Sequence, residues 1–311
     1  MRRNILSKVG IIGNGNHSKR IQKILKKKNI NYFIYKPKSK NYFNKEQYLE
    51  LKKNKIIFII SPNRSHYKYI NDLHKGRYIF CEKPPVSSTQ ELNRIKKLNL
   101  DKVYFNFNFR FSKIANILTN RKKYNLGKLI YGEVVSAHGL AYKKSYVNSW
   151  RASKKNCSKG VFETVSIHWV DILNFIFSIK DHKTQLMNTT KKGDSFDTSH
   201  TNVETKCGGK VNIFSTYASP LISKKLFIFT NGVVEQNDDK LEIRGPTENY
   251  NKIGNFIKPK LLKRIKIREN KDYIESIEKS ISYFFNIAKK NKKFLKRETK
   301  CSLLSNHIIL N

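Results

Sequence analysis

The chain has 311 residues, 39% hydrophobic and 28% charged, a length and composition that suit two folded domains and exclude a disordered chain. Its formal charge is +40, from 63 Lys and Arg against 23 Asp and Glu. No apolar run approaches the ~20 residues of a membrane span. Cys81, Cys157, Cys207 and Cys301 lie too far apart for a disulfide scaffold or a close-paired zinc motif, so no metal site is expected.

The basic start, residues 1–8, leads straight into a glycine motif without a signal-peptide core, so a cytoplasmic protein without a targeting segment is expected. Residues 8–12 form an apolar run ending at Gly13-Asn14-Gly15, and Ile21, Ile24 and Leu25 follow at helical spacing. Further apolar runs occupy 32–35, 56–60, 78–81 and 103–107, with helical patterns between the later ones. The run at 56–60 is uninterrupted and largely β-branched, as in a strand buried on both faces of a parallel sheet. Strand and helix alternate to about residue 114, which predicts a doubly wound α/β domain over 1–114.

Beyond it the rhythm changes. A strand is predicted over 129–137 and a helix over 161–178. Strands with short turns follow at 201–206, 211–217, 226–230, 233–236 and 241–243. Asn231-Gly232 between apolar runs is a hairpin signal, and the series reads as an antiparallel meander. An amphipathic helix over 273–291, carrying Ile274, Ile277, Ile281 and Phe284, closes a second domain over 115–311.

Gly13-Asn14-Gly15-Asn16-His17-Ser18 fits G-x-G-x-x-G with serine last. Between a strand and a helix, Gly13 and Gly15 allow a tight turn, and with Asn16 they bring backbone N–H groups to a pyrophosphate at the helix start. The competing reading is a plain structural turn. Lys36 ends the second strand, where an acid would hold the ribose of NAD, so it favours the 2′-phosphate of NADP unless it is an ordinary surface lysine. Tyr78-Ile79-Phe80-Cys81-Glu82-Lys83-Pro84-Pro85-Val86 places a lysine at the lip of a strand, as a solvated loop charge or a ligand-facing group. The lysines run along the whole length with no nucleic-acid-binding motif beside them, so binding of a specific nucleic acid is not expected as the main role.

The residues from Ser61 to Ile70, with Pro62, Asn63 and His66, together with the Glu82-Lys83-Pro84 box and Asn108-Phe109-Arg110-Phe111, resemble the Gfo/Idh/MocA oxidoreductases in content and order. Residues 149–177, with His168 and Asp171, are similar to that family's second-domain catalytic helix, and the likeness spans nearly the whole chain. The resemblance implies a Rossmann domain followed by an α+β domain whose large, mostly antiparallel open sheet forms homo-oligomer contacts. It also implies hydride transfer between NAD or NADP and a hydroxyl or carbonyl carbon of a sugar, polyol or nucleotide-sugar, with a place in surface-polysaccharide sugar synthesis. Lys83 and His168 take the catalytic roles. Gly13, Gly15, Asn16, Lys36, Pro62, Asn63, His66, Glu82, Lys83 and Arg110 face the cofactor, and Trp150, Arg151 and Asp171 face the substrate. His168 standing alone reads equally as a core histidine.

One position departs from the resemblance. The family's D-x-G-x-H pattern has an aspartate four residues before the histidine, where this chain has Thr164, and Glu163 lies ~100° away around a helix. A catalytically weakened member that binds a dinucleotide or sugar as a regulator is therefore the alternative. The acid-free stretch from Lys143 to Lys159 carries Lys143, Lys144, Arg151, Lys154, Lys155 and Lys159 beside Tyr142, Tyr146 and Trp150. It predicts an anionic substrate with Arg151 as the clamp, against ordinary solvated lysines.

Overall fold

A computed structural model of the chain describes residues 8–37, 44–245 and 249–311; residues 1–7 of the basic start lie outside them. The elements run β1 (Val9–Ile12), α1 (Asn16–Lys27), β2 (Tyr32–Tyr35), α2 (Lys45–Lys52), β3 (Ile56–Ile59), α3 (His66–Leu73), β4 (Tyr78–Glu82), α4 (Thr89–Ile95) and β5 (Val103–Asn106). Next come α5 (Lys113–Thr119), β6 (Leu129–Ala137), α6 (Ile167–Phe177), β7 (Ile179–Met187), β8 (Thr198–Thr205) and β9 (Lys210–Thr216). The chain closes with β10 (Ile222–Phe229), β11 (Gly232–Asn237), β12 (Lys240–Arg244), β13 (Leu261–Lys266), α7 (Glu269–Lys289) and α8 (Lys296–Leu310).

Two compact units result, one of residues 1–108 with 277–311 and one of 109–276. In the first, five parallel strands run in the order β2-β1-β3-β4-β5. Every residue of β1, β3, β4 and β5 is buried, as the apolar runs require of a sheet covered on both faces. The sequence expectation of a boundary at 114 and of a second domain reaching 311 differs from this division. Phe284 of α7 packs edge-on against Phe58 and Phe80, with ring centroids 5.4 Å away in each case, and Phe294 lies 5.3 Å from Tyr104. The apolar stripe of the closing segment thus finds its partners on the first sheet.

The second unit holds an eight-stranded sheet, β13-β12-β11-β10-β6-β9-β8-β7. Its strands bury alternate residues, as in β10 and β12, so one face is covered far more than the other. The predicted meander is broken at one place. β6 enters between β10 and β9, pairing antiparallel with the first and parallel with the second (Tyr131↔Lys210 to Ala137↔Thr216). β7 and β13 are strands the pattern did not mark, because Ile179–Met187 is polar at most positions and Leu261–Lys266 has neither an apolar run nor a regular alternation. Both are sheet edges, where burial imposes little.

Candidate active site

In the first unit the polar groups gather at the C-terminal ends of the parallel strands, the rim where doubly wound sheets bind ligands. Gly13 leaves β1 at φ +105°, and a Cβ there would stand 2.3 Å from the Ile60 carbonyl oxygen, so only glycine lets the two strand ends approach. Gly15 caps α1, and a Cβ on it would meet nothing within 4 Å. No side chain caps the N-terminus of α1 and no acid sits in its first turn, so its N–H groups and positive dipole end are open to an anion. Asn16, exposed, is the first helical residue. Ser18 at the third-glycine position is buried and donates to the Gly13 carbonyl over 2.8 Å, fixing the turn from inside. This cradle fits a dinucleotide pyrophosphate. Lys36 is exposed at the end of β2.

Pro62, exposed, and Asn63, half-buried, open a short turn after β3. His66 behind them is fully buried, with Nδ1 2.8 Å from the Pro84 carbonyl oxygen and Nε2 2.9 Å from the Ser61 carbonyl oxygen. The sequence assigns His66 to the cofactor; in the structure its ring ties the loop after β3 to the loop after β4. Burial pushes its imidazole down, against the opposing pull of the two carbonyls.

Glu82 ends β4 and Lys83, half-buried, follows it, joined to Pro84 by a cis peptide bond. The Glu82 carboxylate takes Asn106 Nδ2 at 2.6 Å and lies 2.8 Å from His17 Nε2. Burial pushes this carboxyl up, but His17, Asn106 and the Lys83 charge outweigh it and hold it below the usual carboxylate range. Asn106 Oδ1 accepts from Ser280 at 2.6 Å, and Ser280 pairs with Tyr104 at 2.8 Å. His17, Asn106 and Ser280 are members of this network that sequence reasoning missed. The fifth position of the glycine motif was the signal available for His17.

In the second unit, residues 162–166 form a π-turn that runs into α6. The single helix predicted over 161–178 is therefore two segments, and π-turns recur at functional sites. His168 is buried with its ring stacked on Phe109, centroids 4.1 Å apart. Asp171 accepts both Nε and Nη2 of Arg110 at 2.7 Å, a bidentate pair with side chains 1% and 6% exposed, and the guanidinium also covers the Phe175 ring at 4.6 Å. The sequence assigns Arg110 to the cofactor and Asp171 to the substrate; the structure turns each toward the other, because two buried opposite charges lower the cost of their desolvation by pairing.

Thr164 donates to the Gly160 carbonyl at 2.9 Å and pairs with the Tyr217 hydroxyl. Burial pushes the Tyr217 phenol up. Glu163, one place earlier, accepts the Lys159 N–H at 3.2 Å. The His138 ring lies 4.9 Å from the Tyr217 ring, and burial, then the charges of Arg151 and Lys143, push its imidazole down. Tyr146 is pushed up to about 12, first by burial and then by Asp197, and its buried hydroxyl has no hydrogen-bond partner among the described residues. Arg151, half-buried, stacks on Trp150 at 4.4 Å, and no described carboxylate pairs with it. Among the described residues no cluster of His, Cys, Asp or Glu could hold a metal ion.

Residues 7–102 match the model of the oxidoreductase family with an NAD-binding Rossmann fold, Gfo/Idh/MocA. Over these residues the chain is similar to the NAD-binding Rossmann domain of that family. The whole chain shares its fold with solved structures of low identity. An oxidoreductase from Thermotoga maritima superposes with TM-score 0.75 at 16% identity, covering 97% of this chain and 94% of that one. Levoglucosan dehydrogenase in complex with NADH and levoglucosan gives 0.75 at 14%, covering 97% and 96%. A myo-inositol dehydrogenase from Corynebacterium glutamicum gives 0.72 at 14%, covering 97% and 94%. No curated protein matches the sequence at a significant level. Glu82 ends β4, the strand next to β3 with its Pro62–His66 turn, so the two most specific sequence boxes are neighbours on one sheet.

Proposed function

We propose that the protein is an NAD(P)-dependent dehydrogenase acting on a secondary hydroxyl of a sugar, polyol or nucleotide-sugar. The observation that carries this reading is Lys83 at the C-terminal end of β4, beside a Glu82 held as carboxylate by His17 and Asn106. The Gly13–Asn16 cradle and Lys36 would hold a nicotinamide dinucleotide, which would supply the hydride exchange when bound. Lys83 hydrogen-bonds the substrate hydroxyl oxygen and stabilises the alkoxide as the proton leaves. His168, its ring stacked on Phe109, is the general acid or base that the second unit offers. His66 holds the two loops that position Lys83.

Arg151, with Trp150 beneath it and no described acid to neutralise it, supports an anionic substrate, a sugar acid or nucleotide-sugar. The second sheet is proposed as the face of a homo-oligomer, which sedimentation velocity tests. Turnover of polyols, sugar acids and nucleotide-sugars with NAD and NADP, followed at rising salt, tests the reading as a whole. The anionic part fails if a neutral polyol is the better substrate with a KM indifferent to salt and to Arg151→Ala.

A second reading rests on Thr164. It is engaged with Gly160 and Tyr217 where the D-x-G-x-H pattern has an aspartate, which favours a weakened member that binds cofactor without turnover. Cofactor-dependent thermal stabilisation without activity, with activity gained by Thr164→Asp, would establish it.

A further inference from the structure

Between β12 and β13 the second unit carries a small hairpin. Tyr250 and Phe256 form an antiparallel bridge with ring centroids 5.0 Å apart. Asn251 N–H donates to the Asn255 carbonyl at 2.9 Å, and the Asn251 side chain accepts from Ile253 N–H at 3.0 Å and Asn255 N–H at 2.9 Å. Ile257 N–H returns to the Asn249 carbonyl at 2.9 Å. The tip thus satisfies much of its own backbone while its apolar side chains face outward. Phe256 is 83% exposed, Ile253 81% and Tyr250 55%; Ile257, Leu261 and Leu262 are exposed beside them. Singly exposed apolar residues are ordinary, but six within thirteen positions of one hairpin and its edge strand are not.

The charges within this stretch are all of one sign. From residue 249 to 268 there are seven cations and no acid. Arg264 pairs with Glu242. Lys252, Lys258, Lys260, Lys263, Lys266 and Arg268 are exposed and make no ion pair with a described carboxylate. A nucleic acid would match the cations but leave Ile253, Ile257, Leu261 and Leu262 in water. A second copy would bring six unpaired cations against these six. An anionic lipid surface satisfies both features, since its headgroups take the ammonium groups and its acyl boundary takes the apolar tip, whose backbone bonds are already made internally.

We propose that the hairpin 249–257 and the edge strand β13 dock the protein on an anionic lipid bilayer. The association is peripheral: among the described residues no helix is long and apolar enough to cross a membrane.

Co-sedimentation of the full chain with vesicles tests this at ~0.15 M salt, where the Debye length of about 8 Å screens distant charges. Phosphatidylcholine vesicles containing about one-third phosphatidylserine pellet the wild type, and pure phosphatidylcholine vesicles do not. Ile253→Ser with Phe256→Ser weakens the binding about tenfold or more. Lys258→Gln, Lys260→Gln and Lys263→Gln together weaken it about a hundredfold. All these side chains are exposed, so circular dichroism and the melting temperature stay at wild-type values. The proposal is overturned if the double serine variant binds as tightly as the wild type, because diffuse charge then suffices. It is equally overturned if the hairpin variants lose affinity for an oligonucleotide, or dissociate a dimer, while vesicle binding is absent from the wild type.

Discussion

Along β1, β3, β4 and β5 every residue is buried, whereas along β10 and β12 burial alternates. A sheet covered on both faces has no side-chain positions left for chemistry, so the first unit displaces its polar groups to the loops at the strand ends. Those loops are continuous in sequence, and Gly13–Ser18, Pro62–His66 and Glu82–Pro84 can each be read as a word. The second unit assembles its polar groups from distant positions: Arg110 with Asp171, Thr164 with Tyr217, Phe109 with His168. Function in the one is local and in the other is folded together. Mutations should therefore divide between the units, those on the rim changing chemistry and those in the second unit's pairs changing stability first.

The largest effect tests that division directly. Arg110→Ala should destabilise the protein by about 3–5 kcal/mol, because it strands a buried Asp171 carboxylate. The double change with Asp171→Ala should cost much less than the sum of the two single ones, as a urea-unfolding cycle would measure. Additive costs would remove the pair from the architecture of the second unit.

Lys83→Ala on the rim should lower kcat by at least ~100-fold while cofactor still raises the melting temperature. His168→Ala should do the same, which would make the helix of the second unit a catalytic element as well as a packing one. Unchanged turnover in Lys83→Ala would end the proposed mechanism.

Acid should sharpen the contrast more gently. Burial depresses the imidazoles of His66 in the first unit and His138 in the second, so the folded chain keeps both neutral while the unfolded chain protonates them below ~6.5. Stability from these groups is full above that pH and is lost as pH falls toward their folded values, at up to ~1.4 kcal/mol per pH unit for each proton. His66→Gln should flatten the fall of melting temperature as pH drops below about 6.5. An unchanged slope would show that His66 does not titrate on unfolding.

The smallest change expected is in cofactor choice. Lys36→Asp should move preference toward NAD by several-fold in KM ratio, without altering stability, since Lys36 is exposed. A wild-type enzyme that already prefers NAD would set the charge argument aside and leave the fold intact.

The alternation of apolar runs and helices, Gly13 and Gly15 after β1 and the Glu82-Lys83-Pro84 box fixed the Rossmann domain from sequence, because parallel strands and their rim loops are local patterns. Sequence also supplied the candidate chemistry of Lys83 and His168. Only the tertiary structure decided that the closing helices return to the first sheet, since an amphipathic stripe announces that it needs a partner without saying which. It alone decided that β6 splits the meander, because strand order is set by crossover and not by alternation. It alone turned Arg110 onto Asp171, 61 residues apart, and bound His17 to Glu82 across 65. Those pairings follow from where the backbone delivers buried charges, which no single stretch of sequence records.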